Sequence, residues 1–280
     1  MADEYGLFGY PVQHSWSPFI HGRFAQQTGQ DMTYHLFESP PERFRIDVLD
    51  FFSRGGRGIN VTLPHKQAAA DLVNELTPRA ERANAVNTIM RRDELLVGDN
   101  TDGAGLLADL TRNLKLRWKE PRILLLGAGG AARGALDALL SLEPSLLVIA
   151  NRTGDRAEAL ARQFSMLGNL VGCSFGDVAR ERFGLIVNAT SASLHGEVPL
   201  IPIDVVGPGT TCYDMSYGVG DTAFVAWAKR LGAGYAEQGW GMLVEQAAEA
   251  FHAWRGVRPD TAPVLDLLRK RAATSPRTPS

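Results

Sequence analysis

The segment Ile123-Leu124-Leu125-Leu126-Gly127-Ala128-Gly129-Gly130-Ala131-Ala132 decides the fold. Four apolar residues make a short buried strand, a glycine-rich turn follows, and a helix is expected over Ala131–Ser141. This is G-x-G-x-x-A between a strand and a helix. Gly127 permits the tight turn, Gly129 lets backbone approach a pyrophosphate, and Ala132 keeps the helix close to the sheet. The helix start offers free N–H groups to phosphate oxygens. A lone glycine-rich match can be a plain structural turn. The strand–loop–helix–strand context favours a dinucleotide site formed by Gly127, Ala128, Gly129, Gly130 and Ala131.

The next strand, Leu146–Ala150, ends where a ribose-reading residue belongs. An NAD site usually places Asp or Glu there. This chain has Asn151-Arg152-Thr153, with Arg156 shortly after. Two guanidiniums, an amide and a hydroxyl suit a 2′-phosphate dianion, which a carboxylate would repel. The cofactor expected is NADP.

Outward from this unit, strands and helices alternate in both directions. Strands are expected at Tyr5–Tyr10, Thr33–Glu38, Gly58–Leu63, Leu185–Ala189 and Thr211–Met215. Helices are expected at Trp16–Gln27, Pro41–Ser53, Thr101–Leu114, Asp155–Leu167, Gly241–Trp254 and Pro263–Arg271, and a hairpin at Ala85–Asp99. Alternation of this kind indicates βαβ units and largely parallel sheets. A chain of 280 residues with 45% apolar residues has material for two cores.

The charge balance, 29 Lys+Arg against 31 Asp+Glu, shows no global basic excess, so neither nucleic acid nor an anionic membrane is an expected partner. No apolar run approaches the ~18 residues of a membrane span. The amino terminus lacks the basic start and apolar run of a secretory signal. Cys173 and Cys212 form no CxxC or zinc-type cluster, and no metal is expected. A reducing cytoplasm is the expected location. Only five of the 29 basic residues are lysines, among them Lys66. Where arginine serves for plain charge, a lysine in a motif-like place is notable, because it can release a proton near neutrality.

Four segments gather polar groups beside strand ends: His14-Ser15-Trp16-Ser17-Pro18, Asn60-Val61-Thr62-Leu63-Pro64-His65-Lys66, Ala85-Val86-Asn87-Thr88, and Gly98-Asp99-Asn100-Thr101-Asp102-Gly103. Ser15, Ser17 and Asp102 could each cap a helix, Asn87 could form a turn, and Lys66 could be a solvated helix-start residue. The last is the least comfortable, since lysine at a helix N-terminus opposes the macrodipole. Together these hydroxyls, amides, ammonium and carboxylate suit a small polyhydroxylated anion.

In this order, before GAGGAA and NRTGDR, the segments resemble the shikimate dehydrogenase family over roughly residues 5–270. The likeness continues through Asn188–Ser191, Tyr213–Gly218 and Gly239–Gln246. The resemblance implies that Ser15 and Ser17 hold the substrate carboxylate, and that Thr62, Asn87, Tyr217 and Gln246 complete the substrate site. It implies that Lys66 is catalytic with Asp102, which also meets a substrate hydroxyl. It places Met215 and Gly239 near the nicotinamide, beside the loop residues above and Asn151, Arg152, Thr153 and Arg156. Gln238 departs from the aspartate common in the family, and Trp240 is a bulky variant.

The fold expected is therefore α/β, with two α/β domains. Residues 1–101 plus 239–273 form an N-terminal substrate-binding domain with the C-terminal helices returning to it. Residues 102–238 form a Rossmann-type NADP domain, and 274–280 a disordered tail. The activity implied is reversible NADPH-dependent reduction of 3-dehydroshikimate to shikimate in aromatic amino-acid biosynthesis, by a monomer or homodimer. An NAD-using quinate/shikimate dehydrogenase shares most motifs, but the SxS pair and the basic NRTGDR loop lean against it. A non-catalytic NADP sensor would not need Lys66 and Asp102. A methyltransferase would leave the basic loop unexplained.

Overall fold

The computed structural model describes residues 2–274. The chain divides into two compact units: residues up to 105 with 243–267, and residues 106–242 with those from 268. The tail expected at 274–280 lies outside the described residues, apart from Thr274, the last residue of a helix.

The first unit runs β1 (Asp3–Gly9), α1 (Ser17–Thr28), β2 (Met32–Glu38), α2 (Phe44–Ser53), β3 (Gly58–Val61), α3 (Lys66–Leu72), β4 (Glu75–Leu76), α4 (Pro78–Ala83), β5 (Thr88–Arg92) and β6 (Leu95–Asp99). The strands form one sheet in the order β2-β1-β3-β5-β6-β4. The sheet is mixed. β1 pairs parallel with β2 and β3, and β4 with β6, whereas β5 is antiparallel to both β3 and β6. The hairpin expected over 85–99 supplies the antiparallel pairs, because a two-residue turn at Asp93-Glu94 can only reverse the chain. Phe8, Phe44, Val48, Phe51, Ile59, Val61 and Ile89 fill the core beneath α2 and α3. Each such side chain, fully buried, contributes roughly 1.5–3 kcal/mol.

α5 (Asp102–Ala108) continues as a wider, π-type turn at Asp109–Asn113. Then come β7 (Arg122–Leu126), α6 (Gly130–Leu140), β8 (Leu146–Asn151), α7 (Gly154–Phe164), β9 (Leu170–Ser174), β10 (Leu185–Asn188), β11 (Thr211–Asp214), α8 (Ala223–Arg230), β12 (Tyr235–Gln238), α9 (Trp240–Arg255) and α10 (Ala262–Thr274). The second sheet is wholly parallel in the order β12-β11-β10-β7-β8-β9. That is the doubly wound order, with its switch point between β7 and β10. Its central strands are buried on both faces, which is why Ile123–Leu126 reads as a continuous apolar run.

The buried Asp109 carboxylate accepts from Tyr213 Oη at 2.6 Å and from Asn113 Nδ2 at 3.0 Å, one turn on. A Cβ at Gly241 would collide with this carboxylate, so only glycine fits there.

Candidate active site

Lys66 opens α3 directly after the β3 loop, and Asp102 opens α5 directly after β6. β3 and β6 flank β5 in the sheet, so these two helix starts emerge at neighbouring places. Lys66 Nζ donates to Asp102 Oδ2 at 2.5 Å, with side chains 14% and 7% exposed. A solvated helix-start lysine is thereby excluded. Asp102 Oδ1 accepts from Asn87 Nδ2 at 2.8 Å. Asn87 is 2% exposed, and its amide also donates to Thr101 Oγ1 at 2.9 Å, with Gln246 Oε1 alongside at 3.4 Å. Its carbonyl accepts from Thr101 N at 2.8 Å and Thr88 Oγ1 at 2.9 Å. An Asn so engaged is fixed in orientation and is not a turn former. Lys66, Asn87, Asp102 and Gln246 thus form one connected polar group.

Ser15 and Ser17 sit together at the start of α1. Ser15 Oγ donates to Ser17 Oγ at 3.1 Å and accepts from Ser17 N at 3.2 Å; the cap position of α1 is held by Trp16, so neither serine is the cap residue. Thr62 follows β3, where its N–H donates to Phe8 O at 2.9 Å.

In the second unit, Gly127 leaves β7 with φ 109°, in the region that favours glycine, and a Cβ there would press on Ala189 O. Gly129 caps α6 with no side-chain bond to its N-terminus, and a Cβ built on it meets open space. The start of α6, at Gly130 and Ala131, therefore presents uncapped N–H groups beside a clear approach, as a pyrophosphate requires. Asn151 ends β8 with Nδ2 donating to Thr153 O at 3.0 Å, and Arg152, Thr153 and Arg156 around the α7 start are exposed. This donor set fits a dinucleotide carrying a 2′-phosphate.

After β11 the chain carries Met215 and Tyr217. Gly239 packs against Met215 O, where a Cβ would not fit, and donates to Ser216 O at 3.0 Å. Tyr217 stacks at a tilt on Trp240, with ring centroids 4.6 Å apart. Gln238, the unusual residue, accepts from Gly218 N and donates to Gly220 O, both at 2.9 Å. An aspartate could supply only the first bond.

Two contributors escape a reading of motifs. Thr101 is wholly buried, and its single hydroxyl proton lies within reach of Asn87 Oδ1 at 3.2 Å and Gln246 Oε1 at 3.4 Å; its signal is its place beside Asp102. Arg79 grips Asp99 with Nε and Nη2 at 2.7 and 2.5 Å. The Thr77-Pro78 step before it is a helix-start signal: Thr77 caps α4 and Pro78 is its first residue.

A polar lysine–carboxylate centre on one α/β unit and a dinucleotide loop on a second, doubly wound unit define a nucleotide-dependent oxidoreductase. Residues 7–89 match the shikimate dehydrogenase substrate-binding domain, 109–195 the shikimate/quinate 5-dehydrogenase domain, and 239–269 the shikimate 5′-dehydrogenase C-terminal domain. The chain belongs to the shikimate dehydrogenase family. It is 51% identical to the NADP(+) shikimate dehydrogenase of Methylococcus capsulatus, over 98% of each chain. Among solved structures, an Ael1 enzyme from Pseudomonas putida is 42% identical with a TM-score of 0.87, covering 95% of this chain and 98% of its own. The shikimate 5-dehydrogenase of Thermus thermophilus, in complex with NADP(H) and shikimate, is 32% identical with a TM-score of 0.84, covering 96% and 99%.

Proposed function

We infer that this chain catalyses the reversible NADPH-dependent reduction of 3-dehydroshikimate to shikimate, a step of aromatic amino-acid biosynthesis. The observation that carries this is the Lys66–Asp102 pair held in register by Asn87. Family membership and relatives of the same name at about half identity support it.

NADP(H), when bound, supplies or takes the hydride. Gly127, Ala128, Gly129, Gly130 and Ala131 would hold its pyrophosphate, and Asn151, Arg152, Thr153 and Arg156 its 2′-phosphate. Met215 and Gly239 would lie against the nicotinamide. Ser15 and Ser17 bind the substrate carboxylate, and Thr62, Asn87, Tyr217 and Gln246 bind or orient the rest. Lys66 Nζ donates a proton to the oxyanion left when the carbonyl is reduced, and in the reverse direction takes the hydroxyl proton. Asp102 orients the ammonium and accepts from a substrate hydroxyl.

Among the described residues no helix is long and apolar enough to cross a membrane. The two cysteines are free thiols, which accords with work in the cytoplasm. A monomer or homodimer would suffice, because all the residues assigned roles are carried on one chain.

The test is NADP+ reduction with shikimate, run beside NAD+ and quinate. Rapid NADPH formation with shikimate is the expected result. No turnover with shikimate and either cofactor would overturn the assignment.

A further inference from the structure

Arg79 joins β6, which leads into Asp102, to α9, which carries Gln246. Its fork closes on Asp99, the last residue of β6, whose side chain is 5% exposed. Asp99 in turn holds the neighbouring chain at several points. Its carbonyl accepts from Asn87 N at 3.0 Å. Its carboxylate accepts from Asn100 N at 2.8 Å and Thr77 Oγ1 at 2.6 Å. Asn100 Nδ2 then donates to Ala85 O at 2.8 Å, and Asn100 Oδ1 accepts from Asp102 N at 3.2 Å. The conformation of the short run from Asp99 to Asp102 is thus set from Asp99 onward.

The third guanidinium nitrogen reaches α9. Arg79 Nη1 donates to Glu249 Oε1 at 3.1 Å, and Arg258 Nη1 holds the other Glu249 oxygen at 2.5 Å. Glu249 lies three residues beyond Gln246, so both project from the same side of the helix. A planar fork can span two carboxylates at fixed angles; an ammonium, a point charge on a flexible stem, cannot.

We propose that Arg79 is a positioning residue for the reaction, setting Asp102 and Asn87 through Asp99 and setting Gln246 through Glu249. The proposal rests on the functional reading above. It adds a residue that touches neither substrate nor cofactor.

The experiment compares Arg79→Met, Arg79→Lys and Glu249→Gln with the unaltered enzyme, at a temperature where circular dichroism shows each fully folded. Arg79→Met should lose about 10–100-fold in kcat, the scale of a small misplacement of catalytic groups. Its KM for NADP+ should stay within about twofold of the parent, because the expected cofactor residues are held by other contacts. Arg79→Lys should recover only part of kcat. Glu249→Gln, which weakens the Arg79 link to α9 and the Arg258 pair but leaves Arg79 on Asp99, should raise KM for shikimate more than it lowers kcat. A folded Arg79→Met enzyme with kcat within about twofold of the parent overturns the proposal. If Arg79→Met does not fold, Arg79→Lys decides: full native kcat there counts against a role for the fork. Absence of shikimate turnover in the unaltered enzyme would remove the functional reading itself. Normal turnover in parent and variants alike would remove only the role of Arg79.

Discussion

Lys66 Nζ and Asp102 Oδ2 stand 2.5 Å apart, and Asn87 Nδ2 occupies the other Asp102 oxygen at 2.8 Å. The carboxylate therefore has one oxygen for orientation and one for the ammonium. A lysine held this way cannot sweep through its rotamers, so its proton is presented from a fixed point. Fixed donors of this kind are what general acid–base catalysis needs.

Replacing Lys66 by methionine keeps the stem and removes the proton donor. Steady-state kinetics should show turnover lower by at least ~10²-fold, with a far smaller change in KM. Lys66→Arg should not restore it, because a guanidinium keeps its protons at any working pH. Near-native rates in Lys66→Arg would make Lys66 an electrostatic anchor and move the proton elsewhere.

Cofactor choice should turn on the exposed arginines after β8. Arg152→Ala should weaken NADP+ by roughly 10–100-fold, the range of one charge-assisted bond, and barely affect NAD+. Binding titrations with both dinucleotides test this. Equal losses for the two would refute the assignment of Arg152 to the 2′-phosphate.

Shikimate should be preferred to quinate by at least roughly tenfold in kcat/KM. Under the proposed assignment of Ser15 and Ser17 to the substrate carboxylate, the extra hydroxyl of quinate falls beside two serines that already bond to each other at the start of α1. A buried hydroxyl left without a partner costs ~1–3 kcal/mol. Comparable specificity constants for the two acids would point instead to a quinate/shikimate enzyme.

Asp109 gives a pH dependence of stability. Burial raises its carboxyl above the ordinary range, outweighing the bonds from Tyr213 and Asn113 that favour the charged form. Because its folded pKa exceeds the unfolded one, the folded state binds more protons in the window between them. Stability from this group is present below the unfolded value and is lost as pH rises through the folded value. Asp109→Asn removes the titration. The stability advantage of the native residue over asparagine should be larger at pH 4 than at pH 7, read from urea midpoints. An advantage that grows from pH 4 to pH 7 would contradict the raised carboxyl.

The sequence by itself determined what depends on near neighbours. The strand–glycine–helix run from Ile123, the hairpin turning at Asp93-Glu94 and the basic loop after β8 are all local patterns. In each, backbone conformation follows from the residues a few positions away. Elements without such a pattern went unread. β9 is interrupted by Gly172, where a Cβ would strike the backbone of α7. β12 is a four-residue edge strand with the polar sequence Tyr-Ala-Glu-Gln, and α4 is too short to show a period.

The tertiary structure decided which polar residues meet. Lys66 and Asp102 are 36 residues apart, Arg79 and Glu249 are 170 apart, and Asn87 and Gln246 are 159 apart. Those meetings depend on strand order and on α9 returning to the first sheet, neither of which short-range propensity encodes. The carboxylate that receives a given guanidinium or ammonium is set by which strand ends lie side by side.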